Sequence, residues 1–183
     1  MTKETFQKEK VILVPRNISY DRGIHLAIES FNIFIKTNPD FKMLIVGSGV
    51  GKYYNYCIDL VAKYDLNEKV IFKGQANRDE MINYYNTSLI TLIPTLDKEG
   101  TSLSALESMS CGTATIVTDV AGLKDLPAYK TNPDPGSIAK SIADVLDNVD
   151  KFSTEQRGSV LENFNIKLWE KSFLNIIETI KLR

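Results

Sequence analysis

Apolar residues along this chain follow two alternating rhythms. Continuous runs rich in Val, Ile and Leu recur at "KVILVP" (10–15), "KMLIVG" (42–47), "KVIFKG" (69–74), "SLITLIP" (88–94) and "TATIVTDV" (113–120). Runs of this kind, bounded by turn residues, predict strands buried on both faces. Between them the apolar positions fall at helical spacing. "IHLAIESFNIFIK" (24–36) sets Ile24, Ala27, Ile28, Phe31, Phe34 and Ile35 on one face. "TNPD" ends it, because Pro39 biases Asn38 away from the helical region. Further helices are predicted over 53–64 and 78–86, and after the fourth strand up to Cys111-Gly112, where the glycine suits a C-terminal cap. Beyond the fifth strand a turn "TNPDPG" precedes helices over 137–149 and 165–181, with a polar connector "DKFSTEQRG" between them. Strands alternating with helices imply a parallel sheet covered on both sides. The expectation is one doubly wound α/β domain over residues 1–183 with a helical C-terminal tail.

Composition narrows the chemistry. At 183 residues, 43% hydrophobic and 25% charged, the chain can bury a core as one domain. Its formal net charge of −1 and the lack of any Lys/Arg run exclude a nucleic-acid partner. Cys57 and Cys111 have no CxxC neighbour, and His25 is the single histidine, so no metal site is expected. A reduced, cytoplasmic setting follows. The opening "MTKETFQKEK" has no apolar stretch of the kind an export leader carries, and no run approaches membrane-spanning length.

In an open α/β sheet, ligands sit beyond the carboxyl ends of the strands. The loop after the first strand, "PRNISYDRG", offers Arg16 and Arg22, planar cations suited to phosphate oxygens. The loop after the second, "GSGVG", begins at Gly47 and invites an NAD(P)-binding reading. However, its last glycine comes one position early, and the third strand ends in "FKGQ" with no acid for a ribose. A tight turn that lets a ligand approach the backbone fits better. The loop after the fourth strand, "DKEGTSLSALESMSCG" (97–112), places Gly100, Thr101 and Ser102 at a helix start, where free N–H groups favour an anion. Glu99 before it and Glu107 within it can each accept hydroxyl donors, giving a phosphate held between two polyols. The competing reading is structural: Ser104 and Glu107 have capping-box spacing, and an acid near a helix start is favourable by itself.

These residues resemble a known family. "EGTSLSALESMSCGTATIVTDVAGLKDL" is similar to the Glu-x7-Glu signature of retaining, nucleotide-sugar-dependent glycosyltransferases of the GT-B fold, glycosyltransferase family 4. "RNISYDRGIHLAIESF", "FKMLIVGSGVG", "LNEKVIFKGQANRDEMINYYNTSLITLIPT" and "LWEKSF" follow in the family's order. The resemblance implies a Rossmann-like, donor-binding C-terminal half of such an enzyme. Arg16 and Arg22 would then hold the donor diphosphate, and the backbone of Gly100, Thr101, Ser102 and Leu103 would cap a phosphate. Glu99 would grip the transferred sugar, Glu107 the ribose, and Gly74 and Gln75 would lie near the base. The donor would be a nucleoside-diphosphate sugar, with neither cofactor nor metal. The partner would be an N-terminal acceptor-binding domain on a longer parent chain, toward which the last helix crosses. The acceptor, and any peripheral membrane association of the whole enzyme, leave no mark in this sequence.

Departures from the family pattern are local. Pro15 stands where glycine is usual, Arg22 replaces the commoner lysine, and Asp125 replaces glutamate before a shortened "LPAYKTNPDPGS" loop. His25 reads as a helix-surface or packing residue, and Trp169 and Phe173 as packing residues, part of whose face an isolated half could expose. Tyr53, Tyr54, Tyr56, Tyr84 and Tyr85 read as amphipathic surface positions, and Cys57 and Cys111 as buried. A non-catalytic partner subunit that keeps the fold is the remaining alternative; retention of both acids and both cations weighs against it.

Overall fold

The computed structural model describes residues 7–181; the first six residues of the polar N-terminal stretch lie outside them. One six-stranded sheet comprises β1 (Glu9–Val14), β2 (Lys42–Val46), β3 (Val70–Gly74), β4 (Ser88–Ile93), β5 (Ala114–Thr118) and β6 (Tyr129–Thr131). Their order is β3-β2-β1-β4-β5-β6, every pair is parallel, and the order reverses between β1 and β4. The helices are α1 (Ile24–Phe34), α2 (Gly51–Lys63), α3 (Arg78–Thr87), α4 (Leu103–Ser110), α5 (Pro135–Leu146), α6 (Val149–Asn163) and α7 (Ile166–Lys181). The Rossmann-like architecture is the one expected.

Strand pleating explains why the apolar runs are continuous. Ile12, Val14, Met43, Ile45, Ile90, Leu92 and Ile116 point to the face covered by α1, α2 and α5. The alternate residues Leu13, Leu44, Val46, Ile93 and Val117 point to the opposite face, toward α3, α4 and α6. With helices on both sides, both alternating sets are mainly apolar. Among the buried exceptions, Thr91 and Thr115 are paired through the Ser108 hydroxyl of α4. Phe31, fully buried on α1, contributes on the order of 2–3 kcal/mol through its burial alone.

Two elements differ from expectation. β6 forms within "LPAYKTNPDPGS", read as a loop, and runs into the "TNPDPG" turn. It has three residues, too few for a periodic signal, and pairs along Ile116–Thr118 at the sheet edge. α6 occupies the supposed polar connector. Its buried contacts rest on Val160 and on Gln156, a polar side chain that an apolar pattern does not register. Gln156 substitutes for a strand: its Oε1 accepts from the Thr115 N–H at 2.7 Å, and its Nε2 donates to the Thr115 carbonyl at 2.9 Å. Replacing Gln156 with Ala would leave two buried backbone groups unpaired, at a cost of about 2–3 kcal/mol. A lowered urea midpoint with an unchanged slope is the expected readout.

α7 shows the exposure expected of part of its apolar face. Trp169 and Phe173 stack on each other at 5.2 Å and remain largely exposed, as do Ile166, Leu174, Ile176 and Ile180. No other described element covers this stripe. Among the described residues no helix is long and apolar enough to cross a membrane.

Candidate functional site

A cavity of about 510 Å³ opens beyond the carboxyl ends of β1, β2 and β3, next to the point where the strand order reverses. The β1 loop contributes Arg16, Asn17 and Arg22, the β2 end Gly47, and the β3 loop Gln75 and Ala76; Met81 and Tyr85 of α3 and Ser104 and Glu107 of α4 close it. Five residues singled out from the sequence therefore meet here: Arg16, Arg22, Gly47, Gln75 and Glu107. Gly74, Glu99, Gly100, Thr101, Ser102 and Leu103 are not among its lining residues. Pro15, noted in sequence for standing in place of a glycine, also lines the wall, and Asn17, Val46, Ala76, Met81, Tyr85 and Ser104 complete it without having been anticipated as site residues.

Arg16 is the most constrained group. Its side chain is 8% exposed, and Nη2 donates to the Thr95 hydroxyl at 3.0 Å. Nη2 also meets the Glu99 carboxylate, which pairs in turn with Arg22 Nη1 and accepts from the Thr95 hydroxyl at 3.2 Å. Burial, reinforced by the neighbouring Arg22 cation, pulls the Arg16 pKa down to about 10, so it remains charged at neutral pH. Its Nε–H is buried without a partner. The two cations are thus held by one acid, and Glu99 faces them rather than open solvent.

The loops that carry these charges are tied together by backbone. Ile18 N–H donates to the Ser48 carbonyl at 2.7 Å, and Leu96 N–H donates to the Asp21 carbonyl at 3.0 Å. Asp21 itself accepts from the Ser19 hydroxyl at 2.6 Å, which with Arg22 holds its carboxyl below the usual range. Gly47 lines the cavity, but its need for a bare Cα comes from the neighbouring loop: a Cβ there would overlap the Arg16 carbonyl. After β5, a 3-10 turn at Ala121–Leu123 braces the acid, with Gly122 N–H donating to the Glu99 carbonyl at 3.0 Å. Ala121 in this turn has a left-handed φ of 43°. Ala121→Gly is expected to raise stability by about 0.5–1 kcal/mol, because relief of strain exceeds the added chain entropy. A higher thermal midpoint at unchanged nucleotide affinity would be the sign.

The helix start resolves the capping question. Ser102 is the N-cap of α4, its hydroxyl accepting from the Ala105 N–H at 3.4 Å, so the Ser104–Glu107 capping box does not form. Ser104 and Glu107, three residues apart, instead share the face turned to the cavity, while Ala105, Ser108 and Met109 are buried. Thr101 and Leu103 stand exposed in front of it.

Other readings are adjusted. Tyr85 is 2% exposed, not a surface tyrosine: it closes the α3 face of the core. A polar-tipped ring in a mixed sequence such as "INYYN" carries no sign of which tyrosine turns inward. His25 is half-buried, stacks on Tyr20 at 5.2 Å, and has Nδ1 2.7 Å from the Tyr53 hydroxyl. Desolvation lowers its pKa. Cys57 is buried, whereas Cys111 is only partly so because it caps the exposed end of α4.

The glycosyl transferases group 1 family model matches residues 2–157. The chain belongs to that family. Among curated glycosyltransferases, it is 30% identical over 144 residues to an uncharacterised one of Methanocaldococcus jannaschii, spanning 75% of this chain and 36% of that protein. It is 29% identical over 165 residues to the D-inositol 3-phosphate glycosyltransferase of Thermobispora bispora, spanning 82% and 38%. This chain therefore spans well under half the length of these relatives. In structure it resembles Anabaena HepE in complex with UDP and glucose, with a TM-score of 0.84 and 14% identity over 94% of this chain and 49% of that one. It also resembles the C-terminal domain of a glycosyl transferase group 1 protein from Francisella tularensis, with a TM-score of 0.77 and 23% identity over 88% and 89% of the two chains. The GT-B glycosyltransferase reading of the sequence is thus the family's own.

Proposed function

We propose that this chain is the donor-binding, C-terminal half of a retaining glycosyltransferase of family 4, acting on a nucleoside-diphosphate sugar. One observation carries the reading: two arginines of the β1 loop and a cavity-facing glutamate of α4, far from them in sequence, line a single cavity at the switch point of the sheet. Arg16 and Arg22 are spaced to take the diphosphate, and their permanent charge offsets the charge that develops on the departing nucleotide. Glu107 accepts the ribose diol, Gln75 and Gly74 border the base, and the open N–H groups of Thr101 and Leu103, at the start of α4, cap a phosphate. Glu99 now holds both guanidinium groups. A diphosphate would take over those donors and release the carboxylate to hydroxyls of the transferred sugar.

Acceptor recognition falls to a second domain, onto which the apolar stripe of α7 docks. The chain alone accordingly binds donor and transfers little. The test is to incubate it with UDP-glucose and a panel of hydroxyl acceptors, following UDP release and the anomeric proton of any product by NMR. Binding with negligible transfer is expected. Efficient transfer would overturn the need for a second half, and an inverted anomeric centre in the product would overturn retention.

A further inference from the structure

Glu107 is exposed on α4, and an exposed glutamate samples many rotamers whose loss on binding opposes affinity. Here a buried donor restrains it. The Tyr85 hydroxyl donates to Glu107 Oε2 at 3.1 Å across the gap between α3 and α4. The ring behind that hydroxyl is fixed, packed with Leu13, Leu44 and Val46. Its backbone is fixed as well: the Tyr85 carbonyl accepts from Lys8 Nζ at 3.1 Å and from the Thr113 hydroxyl, to which Lys8 Nζ also donates at 2.6 Å. Burial, and then the Glu107 charge, raise the phenol pKa far above its ordinary value, so the group remains a donor throughout the physiological range. Tyr85 and Glu107 also stand in the wall shared by the main cavity and a second one of about 450 Å³ lined by α3 and α4.

We infer that Tyr85 is a positioning residue for Glu107: by occupying Oε2 it fixes the carboxylate plane and presents Oε1 to the vicinal diol of a ribose. The inference rests on the reading of Glu107 as the ribose acceptor. It differs from a purely structural role for Tyr85, since it predicts an effect that depends on the diol.

The test compares UDP with 2′,3′-dideoxy-UDP by calorimetric titration of the wild-type chain, Tyr85→Phe, Glu107→Gln and the double variant. Far-UV circular dichroism and the thermal midpoint report whether each remains folded. Tyr85→Phe is expected to weaken UDP binding roughly three- to tenfold and leave the dideoxy nucleotide unaffected. In the Glu107→Gln background the same change should add little, because the two residues act as one unit. Equal weakening of both nucleotides by Tyr85→Phe, or no weakening of either while Glu107→Gln selectively loses UDP, would overturn the positioning role alone. A wild-type chain that binds both nucleotides equally would overturn the ribose reading of Glu107, and this inference with it.

Discussion

Replacing Glu99 with Ala is expected to destabilise the fold by about 2–4 kcal/mol while leaving UDP binding at least as tight as in the wild type. The stability loss follows from what remains. Arg16 is 8% exposed with an Nε–H that already lacks a partner, and Glu99 is the anion against it. Removing one member of a buried pair leaves an uncompensated charge. The lower part of the range applies because the cavity admits water and Arg22 is 32% exposed. The binding expectation follows from competition: Glu99 occupies guanidinium donors that a diphosphate would use. Thermal unfolding with and without UDP checks both parts, since a ligand that binds only the folded state raises its midpoint. UDP should rescue the variant by more degrees than it adds to the wild type. Loss of the UDP response in Glu99→Ala would contradict the assignment of the arginines to the diphosphate.

Gly23→Ala is expected to cost about 3–4 kcal/mol and to weaken nucleotide binding with it. Gly23 links the 3-10 turn at Tyr20–Arg22 to the start of α1 with a left-handed φ of 68°. A Cβ there would collide with the Pro94 carbonyl at the end of β4. Two penalties therefore add: the left-handed conformation, and the displacement of backbone that cannot yield as a side chain would. Any relief must come from moving either the β4 end or the turn that carries Arg22, and both border the cation pair. Urea unfolding and a UDP titration read the two consequences. A variant with wild-type stability would show that the start of α1 and the end of β4 are spaced more loosely than this contact requires.

The sheet was legible because its strands are buried on both faces and written in continuous Val/Ile/Leu runs. Elements held by other means were not. β6 is an edge pairing of three residues, and α6 is anchored by Gln156, whose burial depends on meeting the free backbone of Thr115. At the site, Arg16, Arg22 and Glu107 were legible because each lies beyond a strand end, where the fold gathers ligands. Glu99 was located in sequence but not oriented. Its direction is fixed by a buried arginine 83 residues away in sequence, an interaction no local pattern encodes. Tyr85 escaped for a similar reason, as inward and outward tyrosines on a short polar helix read alike. The β2 loop was read as a tight turn that lets a ligand approach its backbone; Gly47 lines the cavity, and its bare Cα also admits the Arg16 carbonyl of the neighbouring loop, which no local pattern encodes.

The most direct test of the donor-site account is calorimetric titration of the chain with UDP, GDP, ADP and NAD, repeated on Glu107→Ala. The account predicts saturable binding of one nucleoside diphosphate at a single site, no binding of NAD, and a loss of about tenfold in affinity on removal of the Glu107 carboxylate. Binding of NAD alone, or nucleotide binding indifferent to Glu107, would contradict it.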